Sequence, residues 1–345
     1  MMKKVLITGG SGYFGSLLLR KLLERGKPCA VLDINDAEDR PAEVQFIRAD
    51  IRDAAAVRAA CEGVDAIFHN VAQVPLAKDK EAFDSVNRQG TENLLEAALQ
   101  AGVGKVVYTS SSAVFGVPKV NPVVEDMTPQ PQEAYGMAKL DGEKSCHRYS
   151  DRGLDVSIIR PRTIMGHGRL GIFQILFEWI RSGNNVPVLG KGDNIYQFVH
   201  ADDLAEACVL AAERPGSRIY NCGTDRFGTM REVLESLCAH AATGARVRSI
   251  PMGPAITGMK LTSAVGLSPL GAYHALMYGR SMYFDVSRAK TELNWQPKFS
   301  NEEMFIDSYE WYLRNRDAVL AQKDGASHHR SAVKEGVLGL VKRFL

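Results

Sequence analysis

Tyr135 and Lys139, in Tyr135-Gly136-Met137-Ala138-Lys139, are residue types that together can move a proton. On a helix, positions i and i+4 share a face, so a phenol and an ammonium there stand side by side. The cation draws the phenol's pKa down toward the operating range, and the phenol then exchanges a proton with a carbinol or a carbonyl. One isolated Tyr-x-x-x-Lys also arises by coincidence on an amphipathic helix. Here the pair lies 24 residues beyond Ser111, within Ser110-Ser111-Ser112-Ala113-Val114-Phe115-Gly116, a polar cluster that closes an apolar run. Two polar signals at element ends thus point into one crevice.

A third signal opens the chain. Thr8-Gly9-Gly10-Ser11-Gly12-Tyr13-Phe14-Gly15 is a G-x-x-G-x-x-G turn between an apolar run and a helical pattern. Gly9 allows the tight turn, Gly12 lets the backbone approach a pyrophosphate, and Gly15 lets the helix pack against the strand. The helix N-terminus at Tyr13 and Phe14 then faces the phosphates. Asp33, 18 residues beyond Gly15, fits the carboxylate that takes the adenosine ribose hydroxyls. It would repel a 2′-phosphate, and after Asp36 and Glu38 no Arg or Lys comes before Arg40, so NAD is expected rather than NADP. Asp50 and Ile51, after the third apolar run, are placed to hold the adenine edge.

The elements that must position these groups alternate in type. Lys4–Thr8, Ala30–Asp33, Val44–Ala49, Ala66–Asn70, Lys105–Ser110 and Ser157–Arg160 read as strands. Helices are expected around Tyr13–Arg25, Ala54–Cys61, Glu81–Ala101 and Ala134–Arg152. Near-continuous apolar strands in a β-α-β repeat imply a parallel sheet covered on both faces. The expected fold is therefore α/β, a Rossmann-type doubly wound parallel sheet whose ligand crevice lies at the C-terminal ends of the strands. Residues 1–160 with about 201–244 would form this NAD-binding part, and about 161–200 with 245–320 a smaller interleaved substrate-binding lobe.

Composition bounds the function. Among 345 residues, 42 Lys plus Arg against 40 Asp plus Glu give a net charge of +2, without a basic run to track phosphates, so no nucleic-acid partner is expected. The six cysteines are widely spaced and form no zinc pattern, so no metal is expected and the thiols read as reduced core residues. The apolar run after Met1-Met2-Lys3-Lys4 stops at Thr8, too soon for a signal peptide, and no apolar stretch is long enough to span a bilayer. A cytoplasmic protein is expected.

Taken together, the glycine turn, Asp33, the serine cluster and Tyr135-x-x-x-Lys139 resemble the extended short-chain dehydrogenase/reductase family, of NAD-dependent epimerase/dehydratase type, over most of the chain. Further matches are His69-Asn70-Val71-Ala72, with Val71 at a usual alanine position, Asn87 in Val86-Asn87-Arg88, Arg160-Pro161, and Phe198-Val199-His200-Ala201-Asp202-Asp203. The resemblance implies that Tyr135 gives or takes the proton and that Lys139 holds the nicotinamide ribose and tunes Tyr135. It also implies a serine hydrogen-bonded to the substrate oxygen: Ser111, with Ser110 and Ser112 as alternatives, one toward the core and one toward the cofactor. Asn70, Ala72, Asn87 and Pro161 are implied cofactor neighbours.

The same resemblance narrows the reaction. Family dehydratases carry Asp-Glu immediately after the catalytic hydroxyl, where this chain has Ser112-Ala113, which disfavours dehydration. Family sugar-nucleotide enzymes carry Arg-Asp-Phe where this chain reads Tyr196-Gln197-Phe198, although Arg162, Arg169, Lys191 or Arg280 could pair with a diphosphate instead. Ile250–Tyr283 is rich in Met252, Met259, Leu261, Val265, Leu267, Leu270, Tyr273, Leu276, Met277, Tyr278 and Met282, a soft apolar wall suited to a lipid or simply to lobe packing. The segment resembles that of 3β-hydroxysteroid dehydrogenase-like members. An NAD(H)-linked oxidoreductase for a sterol or long-chain keto-lipid is expected, with a nucleotide-sugar epimerase, or a noncatalytic NAD-binding scaffold, as alternatives.

After a polar linker at 324–329, Ser331–Leu345 reads as a helix in which Val333, Val337, Leu340, Val341 and Phe344 recur at helical spacing beside Arg330, Lys334, Lys342 and Arg343. Residues 330–345 therefore suit either peripheral contact with the inner, anionic face of a membrane, or docking on the protein's own surface or a homodimer partner.

Overall fold

The protein was analysed as a computed structural model, which describes residues 2–72, 83–264, 277 and 279–321. Its strands are β1 (Val5–Thr8), β2 (Cys29–Asp33), β3 (Gln45–Arg48), β4 (Ala66–His69), β5 (Lys105–Thr109), β6 (Val156–Pro161), β7 (Thr163–Met165), β8 (Val186–Leu189), β9 (Phe198–His200), β10 (Arg218–Cys222) and β11 (Val247–Ile250). Seven of them form one parallel sheet in the order β10-β6-β5-β4-β1-β2-β3. The chain winds outward from β1 to β3, then crosses to β4 on the other side. This reversal opens a crevice beyond the C-terminal ends of β1 and β4, where Thr8 pairs in register with His69, and His69 with Tyr108.

Alternation along each strand divides the core. Val5, Ile7, Val31, Phe68, Val107 and Ile159 meet α1 (Tyr13–Glu24) and the helix Ala201–Glu213 on one face. Leu6, Leu32, Ile67, Val106, Tyr108 and Ile158 meet α2 (Ala54–Cys61), α3 (Gly90–Gln100) and α4 (Ala134–Asp151) on the other. Near-continuous apolar strands are what a sheet buried on both faces requires. The expected helix Glu81–Ala101 differs: among the described residues Phe83–Gln89 is a wider π-type turn, and the α-helix begins only at Gly90. A Cβ at Gly90 would lie 2.5 Å from the Ile51 side chain, so this helix start needs glycine.

The remaining helices are α5 (Ile172–Arg181), α6 (Ala201–Glu213), α7 (Met230–Ala241), α8 (Met252–Ala264), α9 (Ser287–Glu292) and α10 (Asn301–Ala321); α6 and Ala289 of α9 belong to the first core, while α5, α7 and α10 build a second. Phe173, Phe177, Phe198, Val233, Leu237, Phe305, Tyr309 and Tyr312 pack together here, with Phe198 and Phe305 rings 5.0 Å apart. The parallel pairs β7-β9 and β8-β11 frame this lobe. All six cysteines are unpaired, and burial raises the pKa of the five wholly buried ones, Cys61, Cys146, Cys208, Cys222 and Cys238. Among the described residues no helix is long and apolar enough to cross a membrane. The expected linker 324–329 and helix 331–345 lie outside the described residues.

His69 ties the sheet to the helix beside it: Nδ1 meets the Thr8 hydroxyl at 2.7 Å and Nε2 the Thr91 hydroxyl at 3.0 Å. Burial, helped by the Lys139 charge, pushes the imidazole down from 6.5 to about 3. Between those values the unfolded chain binds a proton that the folded chain refuses, so this histidine's contribution to stability is lost as pH falls. His69→Gln is expected to flatten the decline of the urea midpoint between pH 6.5 and about 4, measured against the wild type.

Candidate active site

At the mouth of β1 the backbone turns at Gly9 (φ +71°), where a Cβ would sit 2.9 Å from the Val71 amide nitrogen. A Cβ at Gly15 would come within 2.1 Å of the Gly9 carbonyl oxygen, so α1 is pressed onto the turn as closely as glycine permits. Gly12 caps α1 in an extended conformation, and a Cβ there would meet only the Gly9 carbonyl oxygen, at 3.3 Å. Its outer side is open to a ligand. Tyr13 and Phe14 have buried side chains, so they offer a phosphate only the backbone N–H groups of the first helical turn. The Tyr13 hydroxyl donates to the His167 carbonyl at 3.2 Å and joins the turn to the second lobe.

Asp33 ends β2 and accepts from the Ser11 amide at 3.1 Å and the Asn35 amide at 3.3 Å, while burial raises its pKa. Arg40 is held by Asp36 at 2.7 and 2.9 Å and also donates to the Pro41 and Val44 carbonyls. A 2′-phosphate would thus meet the Asp33 carboxylate with Arg40 engaged elsewhere. Asp33→Ala should shift the ratio of NADH to NADPH affinity toward NADPH by roughly ten-fold, about 1.4 kcal/mol. Titration of both cofactors checks this, and an unchanged ratio would acquit the carboxylate.

Asp50 and Ile51, expected at the adenine edge, follow β3. Asp50 is gripped by Arg52 at 2.6 and 2.9 Å, which lowers its pKa, and the Ile51 side chain is buried against Gly90. The apolar side chain presented at this rim is Ile34, 56% exposed beside Asp33. An exposed isoleucine directly after the strand-end acid was the signal available for it.

The proton-handling groups meet where α4 starts. Glu133 caps the helix by accepting from the Tyr135 and Gly136 amides at 2.8 and 2.6 Å. A Cβ at Gly136 would lie 2.4 Å from the Ala113 carbonyl oxygen, so the helix start presses on the short 3₁₀ turn Ser112–Phe115. This contact brings Tyr135 into hydrogen bonding with Ser111, whose hydroxyl also accepts from the Ala113 amide at 3.2 Å. Ser110 turns to the buried Glu143, at 2.5 Å, and Ser112 accepts from Arg162 at 2.8 Å. Of the three serines, Ser111 is the one beside Tyr135.

Lys139 is 3% exposed, and its ammonium donates to the Thr109 carbonyl at 2.8 Å and stands 5.0 Å from the Tyr108 ring centre. Burial draws its pKa down to about 8. The expectation that this cation lowers the Tyr135 pKa is corrected: burial dominates and pushes the phenol up to about 12, against the opposing hydrogen bond from Ser111. Asn70, at the end of β4, accepts from the Thr109 hydroxyl at 2.7 Å, while its buried Nδ2 has no partner among the described residues. Asn87 is buried with its carbonyl bound by the Thr91 hydroxyl, Pro161 ends β6 opposite Cys222, and Ala72 is partly exposed at the crevice end of β4. The open side of Gly12, the Asp33 carboxylate and the unfilled Asn70 donor fit a dinucleotide laid along the strand ends.

His167, His200 and Asp307 also converge, with His200 Nε2 3.3 Å from Asp307 Oδ2. Because His200 Nδ1 accepts the Asp202 amide at 3.2 Å, Nε2 carries the proton and donates to Asp307, which is the wrong tautomer for a metal ligand. The cluster is a helix cap braced by a carboxylate.

A model of the NAD dependent epimerase/dehydratase family matches residues 5–223. The uncharacterized protein y4nG of Sinorhizobium fredii is 52% identical over 99% of this chain and 86% of its own length. UDP-glucose 4-epimerase of Mycolicibacterium smegmatis is 31% identical over 91% of this chain and 99% of its own. The mouse sterol-4-alpha-carboxylate 3-dehydrogenase, decarboxylating, is 32% identical over 61% of this chain and 59% of its own. In fold, UDP-glucose 4-epimerase of Thermotoga maritima superposes with a TM-score of 0.77, covering 91% of this chain and 99% of that one at 24% identity. With the family model spanning the sheet and both strand-end signals, the chain belongs to the NAD-dependent epimerase/dehydratase family of extended short-chain dehydrogenases/reductases, as an enzyme whose cofactor is NAD.

Proposed function

We propose that the protein oxidises or reduces a secondary alcohol or ketone of a lipophilic substrate, a sterol or long-chain keto-lipid, at the Ser111–Tyr135–Lys139 site. The observation that carries the chemistry is the Ser111–Tyr135 hydrogen bond at the crevice, with the buried Lys139 one turn further along the same helix. Bound NAD supplies the hydride acceptor or donor. Ser111 holds the substrate oxygen, and Tyr135 gives it a proton in reduction or takes one in oxidation. Lys139, anchored on the Thr109 carbonyl, would hold the nicotinamide ribose of bound NAD.

The lipophilic reading draws support from what replaces a charge. Tyr196, at the position where sugar-nucleotide enzymes of the family carry arginine, shares a hydrogen bond of 2.9 Å with the Thr163 hydroxyl, and Gln197 beside it is fully buried and bonded to the Thr224 carbonyl at 2.6 Å and the Phe284 amide at 2.8 Å. The phenol at the arginine position carries no cation to pair with a diphosphate, and the amide beside it is engaged within the protein. On α8, Met252, Ile256 and Met259 are half-buried, whereas Met277 and Met282 belong to the first core. The side chains of Leu261, Val265, Leu267, Leu270, Tyr273, Leu276 and Tyr278 lie outside the described residues.

Nucleotide-sugar epimerisation is the second reading, favoured by the 31% identity to an epimerase along 91% of the chain. The same residues would then run the hydride step in both directions on a sugar carbinol. Purified protein assayed for NADH turnover with sterol ketones and keto-lipids, and in parallel for UDP-hexose epimerisation, decides between them. Epimerisation without lipid turnover reverses the assignment.

A further inference from the structure

Two arginines at the end of β6, two positions apart, meet opposite fates. Arg160 is gripped by Glu143 through two hydrogen bonds, at 2.8 Å from Nε and 2.6 Å from Nη2. Arg162 is as deeply buried, 1% exposed, yet among the described residues no carboxylate pairs with it. Its Nη1 donates to the Ser112 hydroxyl at 2.8 Å and touches the Met282 sulfur at 3.3 Å. The guanidinium lies 4.7 Å from the Tyr196 ring centre and 5.8 Å from that of Phe284. Among the described residues, Nε and Nη2 have no hydrogen-bond partner.

Those two nitrogens form one edge of the guanidinium, the edge whose parallel N–H groups match the two oxygens of a carboxylate or phosphate. A buried charge left unpaired is costly, and two aromatic faces and one hydroxyl replace only part of its lost hydration. Such a group persists where a ligand completes it. Its position names the ligand's neighbourhood: Arg162 holds Ser112, and Ser112 follows the Ser111 that meets Tyr135.

We propose that Arg162 is the receptor for an oxyanion carried by the substrate, a carboxylate or a phosphate, close to the carbon that exchanges hydride. This rests on the reading of Ser111, Tyr135 and Lys139 as the reacting site. It narrows the substrate from a neutral lipid alcohol to one bearing an acidic group beside its carbinol. If the substrate is a nucleotide sugar, the same edge takes a diphosphate oxygen.

The test uses the NAD-loaded protein, so that phosphate sites of the dinucleotide are filled, and compares wild type with Arg162→Met and Arg162→Lys. Inorganic phosphate and acetate should each raise the wild-type melting temperature by about 2 °C or more at saturation, and should not shift Arg162→Met. Without ligand, Arg162→Met should melt at or above the wild type, because it removes an uncompensated charge. No wild-type shift, an equal shift in the Met variant, or a Met variant that loses its fold while Arg162→Lys keeps it, overturns the proposal.

Turnover then identifies the source of the oxyanion. For a lipid acid, 3-hydroxymyristate should exceed its methyl ester in kcat/KM at least ten-fold, with the ratio falling toward one in Arg162→Met. For a nucleotide sugar, the KM for UDP-glucose should rise at least ten-fold in that variant. A phosphate shift that depends on Arg162, with no NAD-linked turnover of any substrate, would sink the catalytic reading and leave the anion site standing. Turnover without the shift would do the reverse.

Discussion

Tyr135→Phe is expected to lower turnover by about 10²–10⁴-fold, the range for losing a positioned general acid or base. The substitution deletes one hydroxyl from a helix start that Glu133 caps through the backbone, so the ring and α4 stay in place. NAD affinity should change little, because Asp33, the glycine turn and Lys139 remain. Equilibrium titration of NAD, set beside single-turnover rates, separates binding from chemistry. The phenol's raised pKa, about 12, adds a directional signature. Reduction uses the protonated phenol, which is the form present at every pH below that value, so its rate should be flat across neutral pH. Oxidation uses the phenolate, whose fraction grows ten-fold per pH unit until the pKa is reached, so its rate should climb from about pH 7 upward. Full activity in the Phe variant would move the proton donor to another residue.

The site's skeleton was legible because it is local in sequence. A glycine that must turn, a glycine that must be approached and a glycine that must be packed against stand three residues apart, and each strand carries its own apolar run. Tyr135 and Lys139 share a helix, so their placement one turn apart followed from spacing alone. What escaped was set by burial and by partners far away in the chain. Nothing near Tyr135 in sequence says that burial, and not its neighbours' charges, governs the phenol. Arg160 and Arg162 look alike in Arg160-Pro161-Arg162, and only the fold, which brings Glu143 of α4 to one and rings to the other, makes the first a structural pair and the second a waiting charge. The ion pair that Arg52 makes with Asp50, two residues back, likewise shows only in the fold.

Glu143→Ala is expected to cost about 3–5 kcal/mol of stability, the usual penalty for stranding one partner of a buried ion pair. Glu143 accepts from Arg160 at 2.6 and 2.8 Å and from Ser110 at 2.5 Å, with Arg160 2% exposed between the Phe115 ring and the Glu125 carbonyl. Truncation leaves the guanidinium in apolar surroundings with only that carbonyl, and the Ser110 hydroxyl loses its acceptor. Replacing both charges, as in Glu143→Leu with Arg160→Met, should recover most of the loss, since a well-packed apolar pair avoids the desolvation of two ions. Urea unfolding of the single and double variants measures the difference directly. A single-variant loss below about 1 kcal/mol, or a double variant no better than the single, would mean that water reaches Arg160 and that the pair is not what locks β6 to α4. Because Ser110 precedes Ser111, the same truncation should also loosen the serine beside Tyr135, so that turnover falls in the folded fraction of Glu143→Ala and returns in the double variant only as far as the Ser111–Tyr135 contact is restored.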